Sequence, residues 1–460
     1  MTCKENLLDG IKNIHFIGIG GSGMCPMAAI LQRKGYNITG SDNYISDTLK
    51  RIIDRGIPVY LNHDAKNIEN AQLIVYSAAI KPDNVERVAA VEKCIPCIER
   101  SLMLGLLCSK YKNPIAICGT HGKTTTTAMV TQVLTMSQKD PSAIIGGKLP
   151  FIGGNSRIGQ SDTIVCEACE YVDSFLEINP SIAVITNIEA DHLDYFGTLE
   201  NIIKSFNKFS LQTKKLLIVN GDDKNVLTAI NNVSIPVITF GLSHTNTYYA
   251  DNISDDTVPF PSFSLMKNGE KVVDIKLSVP GKHNIYNALA AAVVAINMGI
   301  KPLEFANALH EFHGVHRRFE ILGKPNNITI ADDFAHHPTE ISVTLNTATK
   351  MGFNRVIVVF QPHTYSRTSA FLDDFAKALS IADITVLSEI LAVREINTYN
   401  ISSEDLAKKI DNCICLNTFE EITNCIEKIA KPGDLVLTMG GGNVYVCANM
   451  ILERLTNKNK

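Results

Sequence analysis

Gly119-Thr120-His121-Gly122-Lys123-Thr124-Thr125-Thr126 follows the apolar run Pro114-Ile115-Ala116-Ile117-Cys118 and precedes a helical pattern from Ala128 to Met136. A strand, a glycine turn and a helix in that order gather backbone N–H groups around an anion. The lysine adds a point charge and the threonine a hydroxyl for Mg²⁺. The spacing is G-x-x-G-K-T, shorter than the full G-x-x-x-x-G-K-[ST] loop. A turn that only ended a strand would have no packing reason to be followed by Lys123 and the hydroxyls of Thr124–Thr127. Gly119, Thr120, His121, Gly122, Lys123, Thr124 and Thr125 therefore read as a cradle for the phosphates of ATP.

A second glycine turn opens the chain. Ile14-His15-Phe16-Ile17 runs into Gly18-Ile19-Gly20-Gly21-Ser22-Gly23-Met24, with a small-residue helix from about Pro26 to Arg33. The next strand, 36–40, ends at Ser41-Asp42, an acidic position about 20 residues on, where a ribose hydroxyl is usually held. This pattern fits NAD, FAD, a nucleotide-sugar diphosphate, or a helix–strand contact needing small residues. Beside a separate triphosphate loop it favours a UDP-type substrate, on Gly18, Gly20, Gly21, Ser22, Gly23, Asp42 and Ser77.

The 460 residues exceed one core, and length alone suggests about three domains. Alternating strand and helix patterns predict an α/β protein. A Rossmann-like domain spans 1–107, with strands at 14–19, 36–40, 57–60 and 72–77. A central P-loop ATPase domain spans 108–318, with strands near 163–168, 182–187 and 216–220, a polar β-like region at 235–280 and an Ala-rich helix at 284–298. A doubly wound, Rossmann-like C-terminal domain spans 319–460, with strands at 328–332, 355–360, 383–388, 412–416 and 434–438. The net charge of −4, without a long basic run, disfavours nucleic acid. Apolar stretches fall short of the roughly 18–20 residues of a membrane span, and the N-terminus shows no signal peptide. Twelve cysteines scattered through a large chain point to thiols in a reducing cytoplasm. Cys94-Ile95-Pro96-Cys97 has no second pair at zinc spacing.

Two acidic clusters follow strands expected beside the phosphate-loop strand. Glu167-Ala168-Cys169-Glu170 supplies Glu167, which with the Thr124 hydroxyl suits Mg²⁺ as a hard oxygen donor. Asn187-Ile188-Glu189-Ala190-Asp191-His192 adds His192 as a further ligand or an orienting histidine. Glu170, Glu189, Asp191 and Asp194 read as outer or solvated groups. Asn284 and Asn287, three apart on one helical face, offer amides to an adenine edge. His316-Arg317-Arg318-Phe319-Glu320 places arginines at a domain boundary, where they clamp phosphate or lie on the surface. Asp332-Asp333-Phe334-Ala335-His336-His337-Pro338 and Gln361-Pro362-His363-Thr364-Tyr365-Ser366-Arg367-Thr368 are polar loops at the ligand edge of the third sheet.

In order along the chain, GIGGSGM, GTHGKTTT, ITNIEADHLDYF, GKHNIYNALAA, HRRFE, DDFAHHPTE and FQPHTYSRT resemble the Mur ligases of peptidoglycan synthesis. The branch resembled is the one that joins L-alanine to UDP-N-acetylmuramate. The resemblance implies that the first domain holds the UDP-sugar, the second ATP, and the third the amino acid. It implies Lys123 on the ATP phosphates, Thr124, Glu167 and His192 on Mg²⁺, Asn284 and Asn287 on adenine, and Arg318 and Asp333 on ATP. His336 would meet the alanine amine and Arg367 its carboxylate. Three positions depart from patterns in the family. Phe206 stands where several members carry a carbamoylated lysine, Asn443 ends Gly440-Gly441-Gly442 where an aspartate is usual, and Thr364 replaces an arginine found in some relatives. The recycling ligase that attaches a preformed peptide to the same sugar is the alternative, followed by an NAD oxidoreductase. Oligomeric state is not legible.

Overall fold

Each sheet is built around strands whose apolar runs are buried on both faces, the pattern that parallel pairing between helices produces. The computed structural model describes residues 7–254, 260–393 and 395–457. The first sheet contains β1 (Asn13–Ile17), β2 (Asn37–Ser41), β3 (Val59–Tyr60), β4 (Leu73–Tyr76) and β5 (Cys97–Glu99), in the spatial order β3-β2-β1-β4-β5. All its pairings are parallel. The order reverses at β1, so the Gly18–Gly23 turn lies at a topological switch point.

The second sheet comprises β6 (Asn113–Cys118), β7 (Ser142–Leu149), β8 (Gly154–Arg157), β9 (Thr163–Glu167), β10 (Ile182–Ile185), β11 (Leu216–Asn220), β12 (Val237–Gly241), β13 (Tyr248–Asp251), β14 (Ser262–Lys267) and β15 (Glu270–Lys276). Its order is β15-β14-β13-β12-β11-β10-β6-β9-β7-β8. Strands β9 and β10 flank β6 in parallel, so Glu167 and the Asn187–His192 loop open at the same sheet edge as the phosphate loop. The third sheet has β16 (Glu320–Gly323), β17 (Thr329–Asp333), β18 (Val356–Phe360), β19 (Ile384–Leu387), β20 (Cys413–Cys415) and β21 (Leu435–Met439), in the order β16-β17-β21-β18-β19-β20. The chain divides into two compact units: Met1–Asp251 with Ser264–Val273 and Tyr286–Leu309, and Asn252–Phe263 with Asp274–Ile285 and His310–Lys460.

Several elements differ from the pattern read in the sequence, which had no strands at β5, β7 or β8. The helix after the phosphate loop begins at Lys123, not Ala128. Three of its threonines are satisfied within the helix, because Thr127, Thr131 and Thr135 donate to carbonyls four residues back at 2.7–2.8 Å. The first helix likewise begins at Met24, which leaves Pro26 in the first turn, where a missing N–H is harmless. The third sheet gains the antiparallel edge strand β16, bulged between Ile321 and Gly323. Phe206 belongs to the core: its ring meets Phe175 edge-on at 5.1 Å, and Phe175 stacks on Phe209 at 4.8 Å.

Candidate active site

The phosphate-loop turn requires its glycines. Gly119 and Gly122 have φ of +130° and +81°. A Cβ would fall 2.1 Å from Thr186 Oγ1 at the first and 2.6 Å from Asn287 Oδ1 at the second. The end of β10 grips the turn: His121 N donates to Asn187 Oδ1 (2.8 Å), Asn187 Nδ2 to His121 O (3.0 Å) and Thr186 Oγ1 to His121 O (2.6 Å). Thr120 N donates to Asn187 O (3.0 Å), and Thr120 Oγ1 accepts from Glu189 N (2.8 Å).

Lys123 Nζ donates to Gly119 O (2.5 Å), Thr120 O (3.0 Å) and Glu170 Oε1 (2.9 Å). Burial opposes its charge, but Glu170 and Glu167 outweigh that and push the ammonium above the ordinary lysine range. Glu170 is the group that the sequence reading set aside as outer or solvated. Its side chain is 3% exposed, and its Oε2 is buried without a hydrogen-bond partner. No local pattern betrays the pairing, since 47 positions separate the two residues.

Glu167 Oε2 accepts from Thr124 Oγ1 and from Gly146 N, both at 2.8 Å. A Cβ at Gly146 would lie 2.4 Å from that oxygen, so a glycine on β7 makes room for the carboxylate. A hydroxyl and a carboxylate in contact are a hard oxygen pair that fits Mg²⁺. His192 sits in left-handed backbone (φ 52°), its ring 4.5 Å from Tyr171 and its Nε2 3.7 Å from Asp191 Oδ2. Among the described residues, no hydrogen bond or ion pair joins it to Thr124 or Glu167. Asn284 and Asn287 are both buried on the helix His283–Asn297. Asn284 Nδ2 donates to Pro280 O (2.7 Å), and Asn287 Oδ1 accepts from Thr126 Oγ1 (3.1 Å), which sets it against the phosphate loop. Thr125 follows Thr124 in the first turn of the helix Lys123–Met136.

The N-terminal turn is shaped by the end of β2. Ser41 O accepts from Gly18 N (2.8 Å) and Ile19 N (3.1 Å). Asp42 Oδ2 accepts from Gly20 N (2.9 Å), and its Oδ1 from Tyr44 N (3.2 Å). Ser77 N donates to Ile17 O (3.2 Å), and a Cβ at Gly18 would meet the Ser77 Cβ at 3.5 Å. Gly21 N closes the turn onto Gly18 O (3.2 Å), and Asn155 Nδ2 donates to Ser22 O (2.8 Å). Gly23 leaves room for Arg100, whose Nη1 would be 3.2 Å from a Cβ there. Sequence reasoning missed this cation because it lies 77 positions from the turn it covers.

In the unit that holds the third sheet, Arg317 turns inward: Nε donates to Asp332 Oδ2 (2.9 Å), Nη1 to Gly442 O (2.9 Å) and Nη2 to Gly440 O (2.7 Å). Arg318 lies over the Phe334 ring at 5.3 Å. Asp333 accepts from Phe319 N and Ala335 N, both at 2.7 Å. Burial raises its carboxyl to about 6, against the pull of Arg318 and these amides. His336 and His363 lie 5.7 Å apart, and Arg367 Nη1 is 3.4 Å from His363 Nδ1. Burial, with His336 and Arg367 nearby, lowers His363 to about 4, so it is neutral at pH 7. Gly441 lets both histidines approach: a Cβ there would sit 3.2 Å from His336 Cγ and 3.3 Å from His363 Cδ2. Asn443 pairs with Gln361, which donates through Nε2 to Asn443 Oδ1 (2.9 Å) and accepts from Asn443 N (3.1 Å). An amide at 443 thus has a defined partner.

Residues 13–112 match the family description "Mur ligase family, catalytic domain", residues 117–295 "Mur ligase middle domain", and residues 317–442 "Mur ligase, glutamate ligase domain". The chain is 43% identical over 449 residues to a UDP-N-acetylmuramate–L-alanine ligase of Acetivibrio thermocellus, covering 96% of each protein. It is 44% identical over 451 residues to the enzyme of that name from Clostridium botulinum (strain Langeland), covering 97% and 98%. The solved UDP-N-acetylmuramate-alanine ligase of Thermotoga maritima matches with a TM-score of 0.82 at 31% identity, over 97% of this chain and 100% of that one. A murein peptide ligase from Psychrobacter arcticus matches with a TM-score of 0.75 at 25% identity, over 97% and 99%.

Proposed function

The chain belongs to the Mur ligase family, and we infer that it joins L-alanine to the lactyl carboxylate of UDP-N-acetylmuramate with ATP, releasing ADP and phosphate. The contact of Lys123, Glu170, Thr124 and Glu167 around one glycine loop carries the phosphoryl-transfer half of this reading. The identity of 43–44% to L-alanine ligases carries the choice of amino acid. It disfavours the peptide-recycling alternative, of which two solved relatives are 25% and 28% identical, against 31% for the solved alanine ligase. An NAD oxidoreductase would leave Lys123 and its carboxylates without a task.

A carboxylate is a poor electrophile, so it must be activated before an amine can attack it. The lactyl carboxylate attacks the γ-phosphorus of ATP, ADP leaves, and an acyl phosphate results. The Lys123 ammonium neutralises charge on the transferred group. A phosphate in the cradle competes with Glu170 for that ammonium. Thr124 and Glu167 would hold Mg²⁺, with His192 as a further ligand. The ion supplies charge neutralisation at the phosphates when bound. Asn284, Asn287, Arg318 and Asp333 are assigned to ATP.

The free amine of alanine then attacks the acyl carbon and phosphate departs. His336 suits acceptance of the amine proton. Its Nδ1 lies 3.0 Å from Phe334 O, and only an N–H can face a carbonyl oxygen. In the neutral ring the accepting nitrogen is then Nε2. Arg367 offers a planar cation to the alanine carboxylate beside the neutral His363. The Gly18–Gly23 turn, Asp42 and Ser77 serve the UDP-sugar, with Arg100 as the nearby cation. Domain limits at 107/108 and 318/319 belong to the same reading, as does action in the cytoplasm; no helix among the described residues is long and apolar enough to cross a membrane. The test is phosphate release by purified protein with ATP, Mg²⁺, UDP-N-acetylmuramate and single amino acids. Release with L-alanine is expected. Release only with a tripeptide would replace this reading with the recycling ligase.

A further inference from the structure

A buried carboxylate lies under the N-terminal turn, in a network that the reaction as described does not use. Glu86, in the first turn of the helix Val85–Glu92, has no exposed surface, whereas Val85, Val88 and Val91 of the same helix are 50%, 44% and 74% exposed. Glu86 Oε2 accepts from Ser41 Oγ (2.6 Å) and lies 3.2 Å from His63 Nδ1. Its Oε1 accepts from Asn67 Nδ2 (2.6 Å) and Asp64 N (3.4 Å), and stands 3.7 Å from His15 Nε2. His15 is itself fully buried on β1, with Nδ1 2.8 Å from Thr39 Oγ1. Burial favours protonation of the carboxyl, but the nearby His15 ring and hydrogen bonds from Ser41 and Asn67 outweigh it and hold Glu86 at about 2, so it is charged.

This network reaches the glycine turn through one residue. The Ser41 hydroxyl donates to Glu86, while the Ser41 carbonyl receives the amides of Gly18 and Ile19. The next residue, Asp42, receives the amide of Gly20. Tolerance at this strand end is small, since a Cβ at Gly40 would lie 2.5 Å from Ile19 Cδ1. A shift of Ser41 is therefore transmitted to three successive amides of the turn. We propose that Glu86 is a positioning residue for the UDP-sugar, holding Ser41 so that the Gly18–Gly23 turn keeps the shape that accepts the diphosphate. The proposal rests on the reading of that turn as the UDP-sugar site.

Ser41→Ala removes the hydroxyl's contacts with Glu86 and His63 and leaves the Glu86 charge in place, and Glu86→Gln removes the charge while keeping the size. In the full-length protein, Ser41→Ala should raise the KM for UDP-N-acetylmuramate about fivefold and Glu86→Gln at least about tenfold, with kcat and the KM for ATP within about twofold of wild type. Calorimetry with UDP alone should show matching losses of affinity. If Glu86→Gln does not fold, Ser41→Ala carries the decision. A lowered Tm with unchanged UDP affinity would mean that the network only anchors its helix, and would overturn the proposal, as would equal rises in the KM for all substrates. Gly20→Val is the control. If it weakens UDP binding while both network variants leave it unmoved, the inference alone fails; if Gly20→Val also leaves it unmoved, the reading of the turn fails and this inference with it.

Discussion

On the proposed reading, the two glycine turns of this chain solve one problem, holding a phosphate group against a helix, with opposite distributions of charge. The turn at Gly119–Gly122 carries its own cation, and Lys123 is already engaged by Glu170 and by two carbonyls of its own loop. The turn at Gly18–Gly23 carries none. Its shape comes from Ser41 and Asp42 at the end of a neighbouring strand, and its nearest cation, Arg100, comes from another helix. A turn with an internal lysine suits a group that is transferred, because the charge must meet the transition state. A turn shaped from outside suits a group that is only held.

This contrast breaks most severely at Lys123. Lys123→Ala should lower turnover at least about 100-fold while leaving UDP affinity unchanged, because it removes a preorganised charge from the transferred phosphate alone. ADP formation near the wild-type rate would erase the distinction between the turns. Next in size, Glu167→Gln keeps the shape but not the charge, and should raise the Mg²⁺ concentration for half-maximal activity by roughly tens of fold. An unmoved Mg²⁺ titration would transfer the ligand role to Glu170 or Asp191.

On the other turn, Gly20→Val puts a side chain where a Cβ would already lie 2.9 Å from Asp42 Oδ2 and 3.3 Å from Leu49 Cβ. UDP-sugar affinity should fall about tenfold or more, with ATP affinity intact. Tight NADH binding in place of UDP-sugar binding would return the turn to the oxidoreductase reading. The smallest effect is expected from Arg100→Ala, a loss of UDP affinity of about three- to fivefold that shrinks as salt rises, because a partly exposed charge is screened. A loss independent of salt would assign Arg100 a packing role over Gly23.

Most of the parallel strands, the two glycine turns and the helices that follow them were legible in the sequence, because each depends on residues within a few positions of one another; β5, β7, β8 and β16 were not. Gly-x-x-Gly-Lys-Thr declares a phosphate cradle because positive φ, a point charge and a hydroxyl are local properties. Apolar runs such as Ile115–Cys118 and Val356–Phe360 declare buried parallel strands for the same reason. The order of seven motifs declares the family. The partners of the charges were not legible. Glu170 reads as solvated beside Glu167 and is nearly fully buried on Lys123. Arg317 and Arg318 read alike, yet Arg317 is spent on Asp332 and the Gly440 and Gly442 carbonyls.

The helix Val85–Glu92 shows the same limit most plainly. Its valines at three-residue spacing would mark the buried face by periodicity, yet they face solvent, and Glu86 is buried. Periodicity records which face is apolar, but not whether polar partners from distant positions await a carboxylate on the other. Where the outcome depended on neighbours along the chain, the amino-acid order sufficed. Where it depended on desolvating a charge against partners 23 to 71 positions away, as with Glu86 and His63, Ser41 or His15, only the packed chain brought the compensating groups together.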